Sequence, residues 1–331
     1  KVKMEYSKED IRQAYIKLKS YVYYDNTDLL LRRQLVEFET GIGKEFLKNN
    51  PDSFYNIHSD IFNYKLHFTL EEKFKRIAEE LNLYHERKDF FDSVLSKVSI
   101  DFYPKKYKET PEETNYVSNE KVKSEYLVER ITPFINAPIE LHIISVLWLL
   151  RHGAYIEKKL KTECVGNRLL LNKDKSEIIQ GSGLFKPYFN QYQKWRDNAV
   201  DKAVQILKEG KSVAFINLDI KDYFSSIRIK RTEIFKGRRL DGLHGYYNLQ
   251  EIFLKIHEEY SFKLAKHKSP NDFYEELKDE EGNLEKVVLP IGLVSSYVLA
   301  NSYLQLFDEQ VLSQVKPAYY GRYVDDLLFV I

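Results

Sequence analysis

Residues 319–331 read Tyr-Tyr-Gly-Arg-Tyr-Val-Asp-Asp-Leu-Leu-Phe-Val-Ile, with Asp325 and Asp326 set between two apolar runs. This pattern predicts a β-hairpin whose tight turn lies within residues 323–326 and holds both carboxylates at its tip. Adjacent like charges are costly unless a cation compensates them, so the pair is either an ordinary polar turn or a cation site. Further back, residues 212–218 (SVAFINL) form an apolar run that closes on Asp219 and is followed by IKDYF. The run predicts a buried strand. An aspartate closing such a strand is exposed at its carboxyl end, where ligand sites gather in α/β folds. Taken alone, Asp219 reads as a cap or turn former as readily as a ligand. Three carboxylates converging from two strands would make a site for two divalent metals about 3.5–4 Å apart, the arrangement that drives in-line nucleotidyl transfer.

Outward from these two strands, the spacing predicts a helix from about residue 293 to 315, directly before the hairpin. Residues 187–210 read as another helix, ended by Gly210, with Tyr192 and Trp195 as packing residues. Residues 167–171 and 177–180, either side of NKDKS, suggest a hairpin. Pro138 suits the start of a buried helix through IELHIISVLWLL, in which His142 reads as a satisfied or exposed histidine rather than a ligand. Residues 1–100 are mainly helical by the recurrence of Ile11, Tyr15, Leu18 and Val22, and of Phe74, Ile77, Leu81 and Leu83. Residues 101–120, rich in Pro, Glu, Thr and Asn, are the linker candidate.

The 331-residue chain carries 51 Lys+Arg against 50 Asp+Glu, a net charge of +1, with 43% apolar residues. That balance excludes a histone-like polybasic protein and a disordered one. The single cysteine, Cys164, excludes an intramolecular disulfide and any Cys-based zinc site. The longest apolar run, residues 143–150, falls far short of the ~20 residues a bilayer requires. With no signal peptide at the start, the expectation is a soluble, cytoplasmic protein with no membrane partner. The opening at Lys1 and the stop inside LLFVI suggest a segment of a longer protein.

Charge is unevenly spread: residues 1–150 sum to −2, residues 151–250 to +9 and residues 251–331 to −6. The basic zone has foci at residues 158–196 and 228–239, which suit a polyanion channel or, equally, solvated helix and hairpin faces. The 25 Tyr and 20 Phe fit base stacking, and they fit the codon bias of an AT-rich genome as well.

Three motifs, in this order, resemble the palm of reverse transcriptases. Residues 219–224 (DIKDYF) are similar to that family's first catalytic motif. Residues 289–292 (LPIG), with Ser295, Ser296 and residues 299–301 (LAN), resemble the middle one. Residues 323–326 (YVDD) match its Tyr-x-Asp-Asp motif in full. The resemblance covers roughly residues 167–331. It departs from the common pattern at Ile291, where Gln is usual, and at Tyr297, where Pro is usual. Together with residues 184–200 (LFKPYFNQYQKWRDNAV) and 136–150 (NAPIELHIISVLWLL), these departures resemble the bacterial abortive-infection and defence-associated reverse transcriptases.

The resemblance implies an α/β (α+β) fold. An N-terminal helical region with its linker (1–120) would precede a fingers-like region (121–210) and a right-hand polymerase palm (211–331), with the thumb or C-terminal helical region absent from this segment. It implies metal-dependent addition of deoxynucleotides from deoxynucleoside triphosphates to a nucleic-acid or protein primer, in anti-phage defence, with or without an RNA template. Two Mg2+ would be held by Asp219 and Asp325 with support from Asp326, and Mn2+ could replace them. Phe224 would be the aromatic gate beneath the sugar, and Gly292 would let the backbone approach template–primer and nucleotide. Arg168, Lys186 and Arg196, in the fingers-like part, would meet the triphosphate, or be ordinary surface charges. Arg322 would touch phosphate or be solvated at a hairpin edge. An RNA polymerase sharing the palm, and a catalytically idle nucleic-acid-binding assembly protein, stay open, as does a homo-oligomer. Phe224 speaks against the first of these and the full carboxylate set against the second.

Overall fold

A computed structural model describes residues 5–24, 29–41, 60–107, 128–234, 244–267 and 274–331. The rest of the linker candidate (108–120), the second basic focus beyond residue 234, and residues 271–273 of the strongly acidic patch at residues 271–281 lie outside the described residues.

The N-terminal part is helical. Helix α1 (Lys8–Tyr24) starts at a reciprocal cap, in which the Asp10 amide donates to the Ser7 hydroxyl at 3.2 Å and the Ser7 amide to the Asp10 carboxylate at 2.8 Å. Its buried face carries Ile11, Ala14, Tyr15, Leu18 and Val22, spaced three and four apart as one helix stripe requires. Helices α2 (Leu29–Thr40), α3 (Asp60–Asn82) and α4 (Asp89–Leu95) follow.

Strands β1 (Ser99–Tyr107) and β2 (Val128–Asn136) pair antiparallel. Residues 101–107 are therefore strand rather than linker. The signal was masked by Pro104, which cannot donate to a ladder and sits where the register shifts before Lys106. The largest buried cluster among the described residues runs from Tyr6 to Val324 through all three expected segments.

Helix α5 (Ile139–Glu157) is predominantly apolar around its whole circumference over residues 141–149 and is buried there on every side, as such a pattern demands, while Arg151 and Tyr155 near its end are exposed. It packs between α1, helix α9 (His244–Ala265) and helix α10 (Val294–Tyr303). Trp148 stacks on Phe253 at 4.2 Å and donates to Gln250 at 3.0 Å. His142 is neither exposed nor fully satisfied: it is buried, its Nδ1 has no hydrogen-bond partner, and burial pushes its pKa down to about 4.

Helix α6 (Tyr188–Lys208) lies on the sheet formed by β3 (Phe215–Asp219), β6 (Tyr319–Tyr323) and β7 (Asp326–Val330), in the antiparallel order β3–β7–β6. Short elements connect these: α7 (Tyr223–Ser226), β4 (Ile229–Lys230), α8 (Arg231–Ile234) and β5 (Lys286–Val287). The helix expected over residues 293–315 is segmented into α10, α11 (Gln305–Gln310) and a π-helical turn (Val311–Val315). The hairpin expected around NKDKS is reduced to isolated bridges, Leu169 to Phe185 and Leu171 to Ile178.

One expectation about the sheet is overturned. Strand β3 is not buried; all five of its residues are exposed. Its apolar composition suggested a covered strand, but β3 is an edge with β7 as its partner, and α6 packs on β6 and β7 instead. Among the described residues, no helix is long and apolar enough to cross a membrane.

Candidate active site

The sheet register brings the aspartates to one end. Asp219, last in β3, is paired with Asp326, first in β7, which is also paired with Tyr323 of β6. Asp325 occupies the turn between, and its carbonyl accepts from the Ile220 amide at 3.2 Å. A cleft of about 380 Å³ opens here, with Asp219 and Asp325 on its wall and Asp326 off it. Phe224 and Ile291 also line it, as do Lys105 and Arg130 from strands β1 and β2.

Electrostatics mark the carboxylates as coupled. Burial first, then the charges of Asp326 and Asp219, raises the Asp325 pKa; its own backbone amide and Lys105 act the other way. Burial and then Asp219 raise Asp326. Among the described residues, no group of three or more His, Cys, Asp or Glu side chains is drawn together tightly enough to hold a metal ion. The three carboxylates thus share a sheet end without closing into a ligand cluster, as mutual repulsion dictates. The donor set of hard carboxylate oxygens nevertheless fits Mg2+ or Mn2+.

The turn itself is strained. Val324 has φ of 60°, a left-handed conformation that a β-branched residue rarely adopts and that costs on the order of 1–3 kcal/mol. Arg322 holds it there. Its side chain is fully buried, with no contact to solvent or to the cleft, so neither role expected of it applies. It forms a bidentate pair with Asp308, at 2.8 Å from Nε and 2.7 Å from Nη2, and it donates to the Val324 carbonyl at 2.9 Å and the Asn301 side chain at 3.0 Å. Tyr320 completes the shell, donating to Asp308 at 2.6 Å. Asn301 in turn donates to the Gly166 carbonyl at 2.8 Å, and the Arg322 carbonyl accepts from the Val165 amide at 2.8 Å. Position 166 must be glycine for this seat, because a Cβ would lie 2.9 Å from the Val324 nitrogen.

Of the two aromatic residues after Asp219, Tyr223 is buried and donates to the Ala300 carbonyl at 2.7 Å. Phe224 is half-buried on the cleft wall, its ring backed edge-on by Tyr297 at 5.7 Å. Gly292 has φ of +96°, which favours glycine, but its free side faces Phe134 and Ile135 of β2. It serves the seating of the hairpin, while Ile291 presents itself to the cleft.

The three cations expected at a triphosphate do not line the cleft. Arg168 is largely buried against Glu157 at 2.6 Å and donates to the Lys161 carbonyl at 2.9 Å, so its charge is spent on the turn before the bridges. Arg196 is exposed on α6, paired with its neighbour Asp197 at 2.9 Å. Lys186 is half-buried; burial and then Arg168 lower its pKa. The cations at the cleft are Lys105 and Arg130, the latter 2.8 Å from Asp222. Both were missed because their strands had no clean alternation and one of them read as linker. Compared with known proteins, the chain matches no family model and no curated relative.

Proposed function

We propose that this chain is the palm and fingers of a metal-dependent nucleotidyltransferase resembling the reverse transcriptases of the abortive-infection and defence-associated class, adding deoxynucleotides to a primer. The observation that carries the reading is the convergence of Asp219, at the end of β3, and Asp325, in the adjoining turn between β6 and β7, on one cleft that Lys105 also lines. In the reaction the primer's 3′-oxygen attacks the α-phosphorus of a deoxynucleoside triphosphate, a new P–O bond forms, and pyrophosphate leaves. Two bound divalent metals would supply charge stabilisation at the attacking and leaving oxygens. Asp219 and Asp325 would be their ligands, with Asp326 behind them on β7. Lys105 and Arg130 would orient the triphosphate from strands β1 and β2, which bring cations to the same cleft as the carboxylates. Phe224, on the cleft wall after Asp219, would sit beneath the sugar and exclude a 2′-hydroxyl.

The test is incorporation of a radiolabelled deoxynucleotide in Mg2+ by the wild type and by Asp219→Asn and Asp325→Asn. The reading requires incorporation by the wild type and its loss in both variants, with unfolding transitions retained. Equal incorporation by the three proteins overturns it.

A further inference from the structure

A row of tyrosines leads away from the candidate site. Tyr188 and Tyr192 stand one helical turn apart on α6, and so share a face. Tyr192 meets Tyr323 of the hairpin at 5.5 Å between ring centroids, and Tyr188 meets Tyr24, at the end of α1, at 6.2 Å. Tyr24, Tyr188 and Tyr192 are 58%, 59% and 45% exposed, and Phe189 beside them is 62% exposed. By contrast Trp195, three residues after Tyr192, is buried against the sheet. The helix therefore grades its aromatic residues: Trp195 is buried, while Tyr192 packs one side on Trp195 at 5.4 Å, as expected, and leaves the rest of its ring exposed. The ring contacts thus run from Tyr323 to Tyr192 at one end and from Tyr188 to Tyr24 at the other, along one face of α6.

Contiguous exposed aromatic surface of this kind marks a binding site, and the charges around it select the ligand. Residues 184–196 contain Lys186, Lys194 and Arg196 and not one acidic residue before Asp197. Aromatic faces interleaved with cations are complementary to unpaired bases on a phosphodiester chain, because every base has a π-face and every linkage a negative charge. We infer that Tyr24, Tyr188 and Tyr192 form a stacking track for single-stranded nucleic acid, leading its bases toward the turn that carries Asp325. The inference rests on the nucleotidyltransferase reading for the direction of the strand, since Tyr323 joins the track to the carboxylates. A second copy of the chain, or an apolar peptide, would use the rings but not the cations.

Fluorescence anisotropy of a labelled oligothymidylate of about a dozen nucleotides, in EDTA and low salt, tests the track without the metal chemistry. Tyr188→Ala and Tyr192→Ala should each weaken binding about tenfold, the scale of one lost base–aromatic stack. Tyr188→Phe and Tyr192→Phe should bind like wild type, because stacking needs the ring and not the hydroxyl. An abasic oligomer of equal length should bind wild type as weakly as the alanine variants bind the thymidylate. Failure of wild type to bind, equal binding by the alanine variants, equal binding of the abasic strand, or self-association abolished by the same substitutions each overturn the track. Metal-dependent incorporation by wild type, and its loss in Asp219→Asn and Asp325→Asn, judges the catalytic reading separately.

Discussion

Replacing Arg322 with Met leaves Asp308 as a buried carboxylate without its cation, and the cost is set by that desolvation. Both side chains are essentially inaccessible to water, and the pair is bidentate. Removing one partner of such a pair destabilises by about 3–5 kcal/mol, a large part of a typical total of about 5–15 kcal/mol. The double variant Arg322→Met/Asp308→Leu removes both charges and substitutes apolar volume. It should recover most of the loss, to within about 2 kcal/mol of wild type, the remainder reflecting the hydroxyl of Tyr320 and the side chain of Asn301 left without these partners. Activity should not follow stability. With no donor on the Val324 carbonyl, the strained turn relaxes and Asp325 shifts with it. A displacement near 1 Å at a reacting centre lowers turnover on the order of 100-fold. Urea denaturation and nucleotide incorporation on the same three proteins separate the two effects. If the double variant regains incorporation along with stability, Arg322 is a packing residue and the clamp reasoning fails.

Three further expectations follow from the same geometry. Because the Asp325 pKa is raised in the folded protein, its ionised form opposes folding; in EDTA, Asp325→Asn should unfold at higher temperature than wild type at neutral pH. That advantage should shrink as pH falls through the raised pKa and vanish below the ordinary carboxylate value of about 3.9, as calorimetry across pH would register. Phe224→Ala should admit ribonucleotides, lowering discrimination by about 1–3 kcal/mol in competing incorporation of the two sugars, and an unchanged ratio removes the gate. Lys105→Ala should raise the nucleotide KM while Arg196→Ala leaves it unchanged, which steady-state kinetics would read directly; the reverse order would return the triphosphate to α6.

How much of this was legible before the structure depended on the range of the interactions involved. The α1 stripe, the buried α5 and the residue 323–326 turn are written in local periodicity and charge, and they form where that periodicity places them. The exposure of β3 is not legible because an apolar run does not state whether it lies at the centre or the edge of a sheet; neighbours remote in sequence decide that. The surroundings of Arg322, Arg168 and Lys105 are not legible locally for a related reason. A cation carries the same formal charge whether it meets solvent, a ligand or a buried carboxylate. Asp308 lies 14 residues from Arg322 and Glu157 lies 11 from Arg168, so neither pairing shows in a local motif. Lys105 gains its position only when β1 finds β2 across the segment that composition marked as a linker.

The most direct test of the central claim is to count Mn2+ ions bound per chain by electron paramagnetic resonance, with a non-hydrolysable deoxynucleoside triphosphate present. The account predicts two ions, magnetically coupled at about 3.5–4 Å, and their loss in Asp219→Asn/Asp325→Asn. No bound pair in the wild type, or a pair that survives removal of both carboxylates, would contradict it.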